Sequence, residues 1–580
     1  MLTLAVTGPL LAPGYLLLRD AVSTPRSYLS DSALGLSQAA PRALPQDYAI
    51  ALASAVLDGG VVVKALLILG LWSAGWGAAR LAALVVPDAG VAGQCVAVTV
   101  TIWNPYVAER LLQGHWSLLV GYGCLPWVAA TVLSLRGHPP PERYSSSENP
   151  GKGLLEYRSG GTGGTGGAGG AGGTVAALVF WIALAGLTPT GLMLAATTAL
   201  VAASAPGDGR SRRFCATVGL GAAVAAALPW LVASAVAGGW TDTAEPGVRA
   251  FAARAEPGLG TLGSLASLGG LWNAEAVPAS RTTLFALASA VVLLAVVAVG
   301  VPLLARRRVA VPLLVVAAVA IVAPAVWATG PGIAVVEELI RAVPGLGVLR
   351  DGQKWVALAV PAYALAGAAA VVTLRPRIPA IATATVCCAA LIATLPDLAW
   401  GVGGRVRPVH YPPGWPAAAA VINADPRPVA VLPVDSMRSF TWAGDAPVLD
   451  PLPRWVRADV LSTGDLTIAG RTVPGEGVHA REVQRLLLSG ADRERLAAAG
   501  VGWVVVTGPG PALRLPVAYR DTDITVYAVG GDTPASPHRT VMLAVHTGWL
   551  GLLVGGLAGM LAFGLRRRVG QAPQTVAKTR

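Results

Sequence analysis

The sequence predicts a polytopic α-helical membrane protein, a bundle of about 12 transmembrane helices with a small extracytoplasmic α/β domain. Three observations predict it. The composition is 54% hydrophobic and only 13% charged over 580 residues, which departs far from a soluble domain. Apolar runs of membrane-spanning length recur along the chain. Arginines collect beside the ends of those runs, at Arg210, Arg212 and Arg213, at Arg306, Arg307 and Arg308, at Arg375 and Arg377, and at Arg566, Arg567 and Arg568. That is the pattern of cytoplasmic loops under the positive-inside rule. The net charge of +12 therefore belongs to topology, and nucleic acid is not an expected partner.

Twelve spans are expected, at roughly 2–18, 60–84, 88–105, 116–135, 173–187, 190–205, 214–237, 282–304, 309–330, 355–374, 378–399 and 541–565. The start has no basic leader and no clear small-residue cleavage site, so Leu2 to Leu18 is expected to remain as a span. An N-terminus inside the cell puts the Arg-rich loops and the C-terminus on the cytoplasmic side of the cytoplasmic membrane. It puts 19–58, 104–115, 238–281, 331–354 and 400–540 outside. The five cysteines lie in or beside apolar runs, so neither a disulfide scaffold nor a metal-ligand spacing is expected.

Three regions follow: a transmembrane domain at 1–399, an outer α/β domain at 400–540 with glycan recognition as a candidate role, and a last helix with a basic tail at 541–580. Residues 159–173 are nearly all Gly, Thr and Ala, without the Lys-Ser/Thr of a phosphate loop, and read as a flexible linker. The tail after Arg568 reads as disordered. In the first outer loop, Asp31 is a candidate N-cap of a short helix that sets Leu34 beside Gln38, and Asp47 a candidate cap of a second. A further short helix is expected from Ile333 to Val343. The outer domain shows β-rich strings at Val429 to Pro433, Leu466 to Ile468, Trp503 to Thr507 and Ile524 to Ala528, and a helical stretch from Ala480 to Leu496.

The candidate chemistry starts at Asp20, placed where the first span would leave the lipid. A carboxylate there is costly unless hydrated, paired or used. As a general base it could take the proton of an acceptor hydroxyl while a sugar leaves a lipid phosphate. Pairing with Arg19, or a helix cap, is the alternative for the same residue. Arg350 and Lys354, four apart, are the candidate donor-phosphate ligands. Asp31, Asp47, Asn104, Glu109, Arg110, His115 and Asp351 are candidate substrate-binding residues. Pro105 breaks or restarts a helix within the run from Trp103 to Trp116. Convergence of Asp20, Asp31, Glu109 or Asp351 on a divalent metal is open, but no spacing indicates it and no cofactor is assigned.

Arg19-Asp20, the run WNPYVAERLLQGHW from Trp103 to Trp116, and LRDGQKW from Leu349 to Trp355 carry a resemblance. The chain resembles actinobacterial integral membrane proteins of the GT-C glycosyltransferase class, nearest to the YfhO-like and arabinofuranosyltransferase-like members. The resemblance covers residues 1–400 in membrane organisation, and the following region is similar to the outer domain some members carry. It implies a polyprenyl-phosphate sugar donor, decaprenyl-phosphate linked to arabinofuranose or mannose in that setting. It implies an envelope polysaccharide or glycolipid acceptor, surrounding membrane lipids and inversion at the transferred sugar. The acidic residue of the first outer loop maps to Asp20; this loop has no adjacent Asp-Asp or Asp-Glu pair. The competing functions are a lipid or saccharide flippase, with Lys64 the conspicuous polar residue inside a span, and a non-catalytic envelope-assembly protein.

Overall fold

The computed structural model describes residues 1–37, 43–138, 167–236, 247–343, 346–434, 436–468, 471–508 and 512–569. The protein is a multi-pass helical bundle with a peripheral β-containing region. Among the described residues six helices are long and apolar enough to cross a membrane, or eight if each of two sharply bent pairs counts as one span. They are Gly59–Val85, Trp116–Leu135, Arg212–Val236, Phe285–Arg306, Gly352–Leu374 and Arg539–Phe563. The bent pairs are Val311–Trp327 with Gly330–Ala342, at 97°, and Ala380–Ala393 with Pro396–Gly404, at 76°. The second member of the first pair is the short helix expected from Ile333 to Val343.

Among the described residues twelve full-length spans are not found. The largest correction is at the start. Leu2–Leu11 is a short apolar helix, about 15 Å long at 1.5 Å per residue, half of a hydrocarbon core. Pro9, Pro13 and Gly14 stop it, and the chain turns into β1 (Tyr15–Leu18) and β2 (Ala21–Val22). Asp20 therefore leaves a strand rather than a membrane helix. The Gly90–Ile102 helix has 13 residues and Pro189–Ala203 has 15. The helix preceding Ala185 begins at Gly167, so the last part of the glycine-rich stretch is helical. The rest of that stretch, Gln38 and the tail from 570 lie outside the described residues.

Small residues set the packing, as van der Waals fit requires where lipid removes the hydrophobic drive. The Gly59–Val85 and Trp116–Leu135 helices run side by side in the same direction. A β carbon on Gly123 would stand 2.2 Å from the Gly70 carbonyl, and one on Gly77 2.7 Å from the Trp127 ring. Their C-terminal ends form one face of the bundle. There Arg307 pairs with Asp88 and donates to the Val85 carbonyl at 3.0 Å. Arg136 ties to Ala205 at 3.1 Å and Gly207 at 3.2 Å. The expected Arg-bearing loops thus gather at one end, and the polar turns around Asp20, His115 and Asp351 at the other.

The peripheral region contains β3 (Pro408–Val409), β4 (Val429–Leu432), β5 (Met437–Arg438), β6 (Val448–Leu449), β7 (Leu466–Ile468), β8 (Arg471–Val473), β9 (Trp503–Thr507), β10 (Val517–Arg520) and β11 (Ile524–Ala528). Its main sheet has the order β10-β11-β9-β4, with β4 parallel to β9 and the other pairs antiparallel. Alternation sends Val429, Val431, Val505 and Val526 to one face with Trp415 and Ile422, and Leu432, Val504 and Val506 to the other with Val483 and Leu487. Helices cover both faces. The stretch from Ala480 to Leu496 is two helices, Val478–Leu488 and Arg493–Ala498. β1 pairs with β3, Tyr15 opposite Val409. The amino-terminal strand is therefore part of the peripheral region, across the expected boundary at 400.

Candidate functional site

Asp20 sits at the tip of the β1–β2 hairpin, in the two-residue turn between the paired Leu18 and Ala21. Arg19 holds the first turn position with φ +48°, a conformation costing a non-glycine residue about 1–3 kcal/mol. The surroundings impose it. The Arg19 amide donates to Pro447 O at 3.1 Å and its carbonyl accepts from Leu449 N at 2.9 Å. Its guanidinium donates to Leu112 O at 2.8 Å and Glu275 O at 3.1 Å. Arg19 thus does not pair with Asp20. Gly114, φ +81°, lies against the same hairpin; a β carbon there would be 2.3 Å from both Ala21 N and Leu18 O.

The partner of this turn is the run from Asn104 to His115. Asn104 caps the Pro105–Leu112 helix, accepting from Val107 N at 3.1 Å, with Pro105 in the first turn. Its amide also donates to Val100 O and Thr101 O, both at 2.9 Å. Asn104 joins two helix ends, and its amide also meets the Tyr122 hydroxyl at 3.2 Å. Pro105 restarts the helix, as expected. Glu109, Arg110 and Gln113 then fall on adjoining faces of a helix that is buried all round.

Arg110 is fully buried and organises the site. It holds Asp351 with two parallel bonds, Nη1–Oδ2 at 3.1 Å and Nη2–Oδ1 at 3.2 Å. Nη2 also meets Gln353 Oε1, and Nη1 meets His115 Nδ1 at 3.0 Å. His115 Nε2 reaches Asp20 Oδ2 at 2.9 Å, and Gln113 Nε2 donates to the same oxygen at 3.0 Å. Oδ1 of Asp20 accepts no hydrogen bond from the described residues. Lys354 Nζ lies 3.5 Å from Asp351 Oδ2. The side chains of Asp20 and Lys354 keep 35% and 25% exposure, and that of His115 17%. A carboxylate, an ammonium and an imidazole edge therefore open together at this end of the bundle.

Burial disfavours charge on Asp20, but the His115 and Gln113 contacts and the Lys354 ammonium outweigh it and hold the carboxyl below its usual range. Burial likewise opposes the Asp351 anion, and Arg110 and Lys354 overcome it. For His115 burial wins over Asp20, and the imidazole is held below its ordinary value.

Beneath this layer lies a second, closed one. Glu109 Oε2 accepts from Leu271 N and Gln353 Nε2, both at 3.1 Å. Oε1 is buried with no donor aimed at it. Burial and the adjacent Glu256 push the Glu109 carboxyl well above its ordinary range. Glu256 and Arg281, both buried, form an ion pair through two contacts, with Ser267 Oγ 2.7 Å from Arg281.

Asp20, Arg110, His115, Asp351 and Lys354 come together, with Glu109 behind them. Other expected residues lie elsewhere. Asp31 pairs with Arg539, and the N-cap of the Asp31–Leu34 helix is Ser30. Asp47 lies inside the Gln46–Ala53 helix, where Pro45 occupies the cap, and pairs with Arg454 at 3.1 Å. Both acids fasten the first loop to distant segments. Arg350 stacks on Phe251 at 4.6 Å and lines a small cavity with Trp327 and Val336. Gln113 belongs to the polar run from Trp103 to Trp116, whereas Gln353, Glu256 and Arg281 are not singled out by the sequence. Gln353 stood in the LRDGQKW run; Glu256 and Arg281 carried no spacing signal.

Among the described residues no group of three or more His, Cys, Asp or Glu is placed to hold a metal ion. An apolar groove of about 450 Å³ runs between Leu2, Thr3, Trp72, Trp76, Val98 and Ile102. Searches of protein-family models, curated proteins and solved structures give no match to the chain.

Proposed function

We propose that the protein is an inverting glycosyltransferase that moves a sugar, arabinofuranose or mannose, from a polyprenyl-phosphate donor to an envelope polysaccharide or glycolipid. The observation that carries this is the half-exposed, ionised Asp20 beside Lys354 at the end of an apolar bundle. Asp20 takes the proton of the acceptor hydroxyl. The acceptor oxygen bonds to the anomeric carbon as the bond from that carbon to the phosphate oxygen breaks. The electron pair leaves on the lipid phosphate, whose charge Lys354 offsets. Arg350 adds positive potential from its place on Phe251. The groove beside Trp72 and Trp76 suits an apolar chain. By the positive-inside rule the Arg-rich end faces the cytoplasm, so the Asp20 end and the peripheral region face outward.

Protein in lipid nanodiscs, given radiolabelled decaprenyl-phosphoryl arabinofuranose or mannose and envelope acceptor, tests this. Label should pass to the acceptor with the native protein and not with Asp20→Asn. Absence of transfer from either donor, or full transfer by the variant, overturns the proposal. A second reading, a non-catalytic assembly protein, draws on the bonds by which Arg110 holds Asp351 and Gln353 of a distant segment, which suit a clamp between loops.

A further inference from the structure

We propose that Arg110 locks His115 in the neutral tautomer with its proton on Nε2, making His115 a positioning residue that commits Asp20 Oδ2 and leaves Oδ1 as the oxygen that meets a substrate. The inference deepens the proposed function, since it says which atom of the base is available, but its geometric part does not depend on transfer.

A guanidinium has only donors. The two Nη1 hydrogens of Arg110 go to Asp351 Oδ2 and His115 Nδ1, and the two on Nη2 to Asp351 Oδ1 and Gln353 Oε1. His115 Nδ1 must therefore accept. A proton placed there would face an N–H at 3.0 Å, with Arg110 unable to turn away without breaking its paired bonds to Asp351. The neutral ring then carries its proton on Nε2, aimed at Asp20 Oδ2 at 2.9 Å. Turning the ring over would put carbons at both contacts, so the orientation is fixed as well. An imidazole so held cannot serve as a base through Nδ1. It donates to one oxygen of Asp20, Gln113 donates to the same oxygen, and the other accepts from no donor among the described residues on a side chain that keeps 35% exposure.

The test is nitrogen NMR of the full chain in nanodiscs with ¹⁵N-labelled histidine, His115 assigned among the six histidines by the signal lost in His115→Gln. Nδ1 should read as unprotonated and Nε2 as protonated from pH 8 down to about 5, where a free imidazole of pKa ~6.5 has become largely charged. Ordinary titration, or a proton on Nδ1, overturns the inference. Asp20→Asn gives a second arm: its side-chain oxygen still accepts from Nε2, so the tautomer should persist. A switch to Nδ1–H there means that Asp20, not Arg110, sets it, and also overturns the inference. Missing sugar transfer with the expected tautomer would instead defeat the proposed function alone.

Discussion

Gly269 lies so close to the Glu256–Arg281 pair that a β carbon on it would stand 2.8 Å from both Glu256 carboxylate oxygens. Neither partner is exposed, so neither can swing into water. Gly269→Ala should force the pair apart and lower stability by about 3–5 kcal/mol, the cost of breaking a buried ion pair. Gly347→Ala, where nothing stands within 4 Å, should stay within about 0.5 kcal/mol of the native protein. Thermal unfolding in detergent checks both, and equal melting temperatures would contradict the packing described.

Glu109 gives a pH dependence of known sign. Asp20, Asp351 and Glu256 are balanced by Arg110, Lys354 and Arg281, so Glu109 is the surplus acid, and its carboxyl is raised well above the ordinary range. The folded protein holds this proton where the unfolded chain, with pKa ~4.3, has released it. The stabilisation is complete below that unfolded value and is lost as pH rises through the folded one. Glu109→Gln keeps a neutral side chain of similar shape and should flatten this alkaline decline. Melting temperature against pH, with the two proteins compared, decides it; parallel curves would mean Glu109 is ionised in the native state.

Gly114→Ala should separate the Asp20 turn from His115, because the new methyl collides with Ala21 N and Leu18 O at 2.3 Å. The collision is with backbone, which cannot rotate aside. The expected outcome is a His115 whose Nε2 signal shifts as the contact with Asp20 is lost, while Nδ1 stays unprotonated because the Arg110 contact persists. The same histidine signal used above reports it, and an unchanged spectrum would show the turn is not held there.

Lys354 should act on the donor more than on the acceptor. Lys354→Gln is expected to lower kcat/KM for a polyprenyl-phosphate donor about tenfold or more, ~1.4 kcal/mol of transition-state stabilisation, with little change in acceptor KM. Initial rates at varied donor and acceptor measure the split. An effect confined to acceptor KM would move Lys354 to the other substrate.

Orientation is open to labelling. Asp445 and Arg308 are exposed and lie toward opposite ends of the bundle. A membrane-impermeant maleimide on intact cells should modify Asp445→Cys, and Arg308→Cys only after permeabilisation, each against the background of the native cysteines. The reverse pattern inverts the proposed topology.

The membrane class was legible because apolar length is a local property, and so was the run from Asn104 to His115, whose density of polar groups betrays a hub. Strands at Val429, Trp503 and Ile524 showed in β-branched strings. The first segment was misjudged because Leu2 to Leu18 has the hydropathy of a span, while Pro9, Pro13 and Gly14 break it in the middle. Helix caps at Asp31 and Asp47 failed since Ser30 and the Pro45 turn precede them by one or two residues. Glu256 and Arg281 were invisible because their partnership exists only once distant loops meet.

Arg19 is gripped by Pro447 and Leu449, and Leu16 pairs with Pro408. A ribosome making ~5–20 residues each second would therefore spend tens of seconds between releasing the hairpin and supplying what braces it. Throughout synthesis the hairpin must wait while the helices are added one after another. The surroundings of Asp20 are consequently completed near the end of synthesis, so a chain broken off before the peripheral strands emerge carries its acid unaimed.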